Sequence, residues 1–104
     1  MGLLSKFFPP VSDLSCLTGE EISRLRTFFD RGWASETRRL TGNSNDIFDE
    51  IIDQNIVRGL KKHALSKEEL DMVIALLKAD IDLRGDDEEE KEILRKLRRC
   101  RDEL

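Results

Sequence analysis

The chain has 104 residues, of which 38% are apolar and 38% are charged, and its formal net charge is −4. This length suits one small domain, no apolar run is long enough to span a bilayer, and two cysteines exclude a disulfide-rich scaffold. The net charge is +1 over residues 1–42, −8 over residues 43–90 and +3 over residues 91–104. A negative chain repels nucleic-acid phosphates at long range, so only the C-terminal stretch can offset that repulsion locally.

Residues 1–16 are predicted to form an extended apolar arm, because Pro9 and Pro10 favour extended or polyproline backbone. Among its apolar side chains, Leu3, Leu4, Phe7 and Phe8 are the candidates for binding a partner. Two interpretations of the arm stay open. It folds back onto a groove of its own helices, which we favour, or it docks on a partner or exchanges between protomers.

The first ten residues also bear on localisation. They lack the basic start of a secretory signal peptide, and the two prolines cut the apolar run short. We therefore expect an intracellular, cytoplasmic protein. Because the cytosol keeps thiols reduced, Cys16 and Cys100 are predicted to be buried thiols rather than a disulfide.

Residues 17–104 show helical periodicity throughout and are predicted to form one helical domain. The main helices are predicted at about 19–32, 46–62, 67–84 and 87–104, and a short fifth helix at about 34–41 is left open. Two helix starts are marked by capping boxes, Thr18 with Glu21 and Ser66 with Glu69. The expected fold is an all-α, single-domain bundle of four main helices.

The second and third main helices are predicted to be central. Apolar side chains cover more than half the circumference of the second helix, from Ile47 to Leu60, which predicts burial on two sides. The fourth helix has one narrow apolar seam and a wetted polar face, which is typical of an outer helix. Its short link to the third helix predicts an αα-hairpin over residues 66–104.

No catalytic or metal-binding set survives inspection, so we expect no enzyme activity, cofactor or metal. His63 is the single histidine, which excludes di-iron and paired zinc-ligand patterns. An EF-hand-like spacing begins at Asp80, but Arg84 and Lys91 occupy ligand positions.

One enzymatic alternative depends on acidic helices. Glu88-Glu89-x-x-Glu92 and Glu50-x-x-Asp53 resemble, in reversed order, the acidic helices of MazG-type nucleotide pyrophosphohydrolases. The resemblance implies a Mg²⁺-dependent, all-α nucleotide hydrolase. It remains a second alternative, because a chain this acidic yields such spacings by chance.

Two other features are candidate partner-binding sites. The C-terminal helix carries the exposed basic residues Arg95, Arg98 and Arg99, which suit an acidic partner or nucleic acid, although helix-dipole complementation explains them as well. Trp33 is predicted to cover the core, with an exposed binding position as the alternative.

The leading functional hypothesis is a small, non-enzymatic interaction or regulatory protein, with the possibility of a homodimer left open. It would bind a protein partner, whose identity the sequence does not give, through helical surfaces and the apolar arm. The first alternative is a nucleic-acid-associated protein that uses the basic face of the C-terminal helix. No membrane association is expected.

Overall fold

A computed structural model of the protein describes residues 11–42, 45–85 and 87–104. The helices are α1 (Gly19–Asp30), α2 (Trp33–Leu40), α3 (Asp46–Lys61), α4 (Lys67–Arg84) and α5 (Glu88–Asp102). Of the residues that the structure describes, 76% are helical, which confirms the all-α prediction, and α2 is the short fifth helix.

A small antiparallel ladder, which the helical periodicity did not predict, joins two distant segments. Strand β1 (Val11–Ser12) pairs with strand β2 (Leu65–Ser66), with Val11 opposite Ser66 and Ser12 opposite Leu65. Both strands are two residues long, so they are too short to show an alternating pattern in the sequence. The ladder places the residues before α1 beside the start of α4.

Both predicted capping boxes are present. The Thr18 hydroxyl accepts a hydrogen bond from the Glu21 backbone N–H at 3.2 Å, and the Thr18 N–H donates to Glu21 Oε1 at 2.8 Å. Ser66 and Glu69 repeat this exchange at 3.2 and 2.9 Å at the start of α4. These bonds satisfy N–H groups that the first helical turn leaves without partners.

The break between α1 and α2 lies at Gly32. Gly32 has φ +79°, a left-handed conformation that interrupts the helix after α1 ends at Asp30. Glycine adopts this conformation without the steric cost of a Cβ atom. Trp33 therefore begins α2, close to the start of the short helix that the sequence left open at about 34–41.

The core is one cluster in which α4 is central. α4 packs against α5, α2 and β2, whereas α3 packs chiefly against α1. The inward side chains of α4 are Leu70, Val73, Leu76 and Leu77, and those of α5 are Ile93, Leu94, Leu97 and Cys100. The predicted α4–α5 hairpin and the outer position of α5 are confirmed.

Ion pairs fasten α5 to its neighbours. They are Arg24–Asp87 (2.6 Å), Lys96–Glu21 (2.9 Å) and Arg101–Asp71 (2.6 Å). Hydrogen bonds from the Thr18 backbone and from Lys96 overcome the effect of burial and lower the pKa of Glu21. Some of the many charged side chains thus have a structural role, because they form ion pairs between helices.

The prediction that α3 is buried on two sides is wrong. Its inward face is buried, with Ile56 and Leu60 fully covered, but Ile47, Phe48 and Ile51 point outward and are exposed. α3 packs chiefly against α1, so no described element covers the opposite face. A helix that is apolar on two sides is expected to pack against other elements on both sides. Among the described residues, α3 is covered on only one side.

Gly59 on α3 provides a test of the close turn into β2. A Cβ atom at Gly59 would lie 2.5 Å from the Ala64 carbonyl oxygen and 2.7 Å from Leu65 Cδ2. Because backbone must shift to relieve this clash, we expect Gly59→Ala to lower the free energy of unfolding by ~1–3 kcal/mol in urea titrations.

Gly19 is the matched control for this substitution. A Cβ there meets nothing within 4 Å, so Gly19→Ala should leave the free energy of unfolding unchanged or slightly higher. Equal effects of the two substitutions would show that the turn after α3 is not tightly packed.

Candidate interaction surfaces

An exposed apolar patch lies on the first turns of α3, and we call it the α3 stripe. It consists of Ile47, Phe48 and Ile51, whose residues are 73%, 61% and 53% exposed. Their spacing of one, three and four places them on one side of the helix. The sequence interpretation missed this surface because it assigned these side chains to a buried helix.

A buried ion pair fixes which side of α3 faces inward. Arg38 of α2 is 5% exposed, and its Nη1 donates to Asp53 Oδ2 at 2.9 Å. Nη2 lies 2.8 Å from Asp53 Oδ1 as an ion pair without hydrogen-bond alignment, and Nε lies 3.6 Å from Asp49 Oδ1. Holding Asp49 and Asp53 against α2 turns the α3 stripe outward, because the two sets lie on opposite sides of the helix.

The predicted apolar candidates have different outcomes. The arm residues Leu3, Leu4, Phe7 and Phe8 lie outside the described residues. Trp33 is 41% exposed and covers a cavity of about 10 Å³ that Phe28, Leu77 and Ile93 also line. Trp33 thus lies against the core and is partly exposed, and its role in binding a partner stays a prediction.

The basic candidates lie together on the exposed side of α5. Arg95 is hydrogen-bonded to Glu92, which raises the pKa of Arg95 and lowers the pKa of Glu92. Arg98 and Arg99 are exposed and have no ion-pair partner within residues 11–42, 45–85 and 87–104. These two side chains are therefore the basic groups of this face that remain available to an anionic ligand.

A groove of about 530 Å³ runs between α4 and α5 beside these arginines. Its charged lining residues are Lys78, Asp82, Lys91, Arg95, Arg98, Arg99 and Asp102. Lys78 lies 3.8 Å from Asp82, which neutralises one edge. On the α5 side of the groove, basic side chains outnumber acidic ones.

A second groove, of about 840 Å³, lies beside the Arg38–Asp53 pair, between the end of α1, α2 and α3. Its charged lining residues are Asp30, Arg39, Asp49, Glu50, Asp53, Arg58 and Lys61. Because both signs are present in similar number, the charge of this groove does not favour one class of ligand.

The acidic sets of the hydrolase alternative are not brought together. Asp53 is ion-paired with Arg38, and Glu92 is bonded to Arg95. Within the described parts of the chain, no three acidic, histidine or cysteine side chains lie close enough to hold a metal ion. The geometry thus gives this alternative no specific support.

A buried pair of carboxyl groups joins α4 to α5. Burial, together with the hydrogen bond and negative charge of Asp80, raises the pKa of Glu90 to about 7. Asp87 acts in the same direction, whereas Arg24, 3.8 Å away, opposes the rise. Arg84 Nε lies 2.7 Å from Asp80 Oδ1. The raised pKa means that Glu90 is protonated over a wider pH range than an exposed glutamate.

Glu90 predicts a pH dependence of stability. Its pKa in the folded protein is above the ordinary value of 4.5, so the folded state holds a proton that the unfolded chain has released between pH 4.5 and about 7. The free energy of unfolding therefore falls as the pH rises through this window. We expect Glu90→Gln to raise it by ~2 kcal/mol at pH 8 and to have little effect at pH 4.5.

The measurement is urea unfolding at both pH values, followed by the fluorescence of Trp33, the single tryptophan. Glu88→Gln removes an exposed carboxylate two positions earlier and serves as the control. The same stabilisation by Glu90→Gln at pH 4.5 and pH 8 would contradict a raised pKa.

Comparison with known proteins gives no relative on which to base a function: no family model, curated protein or solved structure matches this chain. In the described parts of the chain, none of the helices has the length and apolar character needed to cross a membrane. The functional argument therefore depends on the surfaces themselves.

Proposed function

We propose that this chain is a small, cytoplasmic, non-enzymatic interaction or regulatory protein that binds a protein partner through the α3 stripe. The observation that supports this proposal is the exposure of three large apolar side chains on one side of one helix. Single exposed apolar residues are common on protein surfaces, but neighbouring ones on one face are typical of interaction sites.

The size and spacing of the stripe suit an apolar groove on a partner. An amphipathic helix that binds in a groove places apolar side chains three and four positions apart on one face. Ile47, Phe48 and Ile51 have this spacing. Full burial of such a side chain contributes roughly 1.5–3 kcal/mol. Because part of each side chain is already covered here, only part of that contribution is available, and a small interface results.

Charge favours a partner with a basic rim. Residues 43–90 carry a net charge of −8, and Glu50 is exposed beside the stripe. Two copies that met face to face through α3 would bring like charges together, which is unfavourable. We therefore place the protein partner ahead of a homodimer, and a second copy is one outcome of the test.

Phe48→Asp places a charge in the middle of the stripe without disturbing the core, because Phe48 is exposed. We expect the substitution to leave thermal stability within about 0.5 kcal/mol and to reduce recovery of the partner about tenfold or more in quantitative affinity capture. Leu83→Asp, which charges an exposed leucine on α4, is the matched control and should retain the partner.

Light scattering over a range of protein concentrations tests the second copy. A dimer that Phe48→Asp dissociates and Leu83→Asp does not would identify another copy of this chain as the partner. Equal recovery of every captured protein by Phe48→Asp, Leu83→Asp and the unchanged chain, with no change in mass, would reject the α3 stripe as a binding surface.

The basic side of α5 supports a second candidate function, nucleic-acid association. The specific observation is that Arg98 and Arg99 are exposed without carboxylate partners among the residues the structure describes. Guanidinium groups of this kind bind phosphate oxygens and release counterions. No aromatic side chain is interleaved in this part of the sequence, so the expected contacts are to the backbone rather than to stacked bases.

A gel-shift titration across a salt series tests this candidate. Charge reversal at Arg95, Arg98 and Arg99 to Glu should abolish a salt-sensitive shift. Charge reversal at three other exposed arginines, Arg31, Arg39 and Arg58, changes the net charge equally and is the control. The absence of any salt-sensitive shift with the unchanged chain would end the nucleic-acid candidate.

A further inference from the structure

The start of α3 combines apolar and acidic residues. Beside the α3 stripe, its first two turns contain no basic residue and four acidic ones, Asp46, Asp49, Glu50 and Asp53. Arg38 of α2 neutralises part of this charge through its ion pair with Asp53, whereas Glu50 is exposed. The α3 stripe therefore lies in a part of the chain with an excess of negative charge.

The groove between α4 and α5 has the opposite character. Two of its charged lining residues, Asp82 and Asp102, are acidic, and five are basic: Lys78, Lys91, Arg95, Arg98 and Arg99. Its apolar lining residues are Leu94, which is buried, and Ile81, which is partly buried against the core. The groove thus places basic side chains around a small apolar area, which is the chemistry that the charge of α3 favours in a partner.

The α3 stripe and the α4–α5 groove lie on different parts of the molecule. α3 packs chiefly against α1, whereas α5 packs chiefly against α4. Each surface is therefore open in a single copy: Phe48 is 61% exposed, and Arg98 and Arg99 have no carboxylate partner within the described part of the chain. Only a second copy brings the two surfaces together.

We propose that the α3 stripe of one copy of this chain binds in the α4–α5 groove of a second copy. The inference rests on the proposed function, because it names the partner of the α3 stripe. In this arrangement the acidic start of α3 meets basic side chains, so the like-charge repulsion of a face-to-face contact does not arise. Glu50 on one copy and Arg98 and Arg99 on the other are the exposed groups of opposite charge that would pair across the contact.

This contact is heterologous, because the two copies use different surfaces. A copy that binds through its stripe keeps an unused groove, so association continues into open chains unless a ring closes. Stable interfaces bury about 1,200 Å² or more, and a contact built on three partly covered apolar side chains is smaller. We therefore expect weak association, with a dissociation constant of ~0.1–1 mM.

Two variants with complementary defects test the proposal. Phe48→Asp disables the stripe and keeps the groove, whereas the double substitution Arg98→Glu and Arg99→Glu disables the groove and keeps the stripe. The measurement is sedimentation equilibrium of the full chain at concentrations up to ~1 mM. We expect the average mass of the unchanged chain to rise beyond that of a dimer, and each variant alone to stay monomeric.

An equimolar mixture of the two variants should regain association. One intact stripe and one intact groove remain between each pair of unlike variants, so the mixture should form a dimer and no larger species. A face-to-face contact between two stripes gives a different result, because the arginine variant would then dimerise by itself and adding Phe48→Asp would rescue nothing. That result would overturn the proposal.

Leu83→Asp and the double substitution Arg31→Glu and Arg39→Glu are the matched controls, since they make the same changes of charge at exposed positions outside both surfaces. Both should associate like the unchanged chain. Melting temperatures show whether the arginine variant is folded. If it is not, added salt replaces it: screening of exposed charges should weaken the association of the unchanged chain, and association that salt does not weaken would contradict the proposed pairing.

Self-association and binding of another protein fail in distinguishable ways. An unchanged chain that stays monomeric over the whole concentration range overturns this inference, and so does self-association that Phe48→Asp does not reduce. Recovery of a different protein that Phe48→Asp abolishes, without self-association, leaves the proposed function intact. Equal recovery of every captured protein by Phe48→Asp and the unchanged chain, again without self-association, would reject both.

Discussion

The packing of α4 is the constraint on which the other elements depend. α4 is covered by α5 along one side, by α2 on another and by β2 at its start, and these contacts bury its inward side chains Leu70, Val73, Leu76 and Leu77. α3 consequently packs on α1, which leaves one of its two apolar faces without a described cover. The α3 stripe is thus a result of how the chain distributes contacts and not of a local peculiarity of α3.

Many of the charged side chains stabilise contacts between helices and are not free at the surface. The acidic start of α5 receives Arg24 from α1, and Arg101 near its end reaches Asp71 of α4. Arg38 is almost completely covered and neutralises Asp53. Such a pair contributes little net stability, because desolvation offsets attraction, yet it disfavours any arrangement that leaves one charge alone in the interior. It therefore selects the rotation of α3 more than it strengthens the fold.

Local signals predicted much of this structure. Capping boxes at Thr18 and Ser66 are formed by residues three positions apart, so the sequence contains the whole interaction. The α4–α5 hairpin follows from a short link and two apolar faces for the same reason. The main helical bounds and the outer position of α5 could be predicted because they depend on neighbours along the chain.

The remaining features depend on distant partners. The exposure of Phe48 depends on which helix packs against α3. The burial of Arg38 depends on its ion pair with Asp53 of another helix. Neither can be predicted from the spacing of apolar residues along one helix. Arg95, Arg98 and Arg99 were predicted as an exposed basic face because α5 is amphipathic, but which of them lacks a partner required the structure.

The β1–β2 ladder has a consequence for the order of folding. It joins positions 11–12 to positions 65–66 through only two residues on each side, so closing it costs loop entropy and returns few bonds. The α4–α5 hairpin, by contrast, forms from adjacent segments and closes a short loop. The ladder is therefore a late event in assembly and opens before the helices separate from one another, whereas the turn that follows it stays against the core through the buried side chain of Leu14.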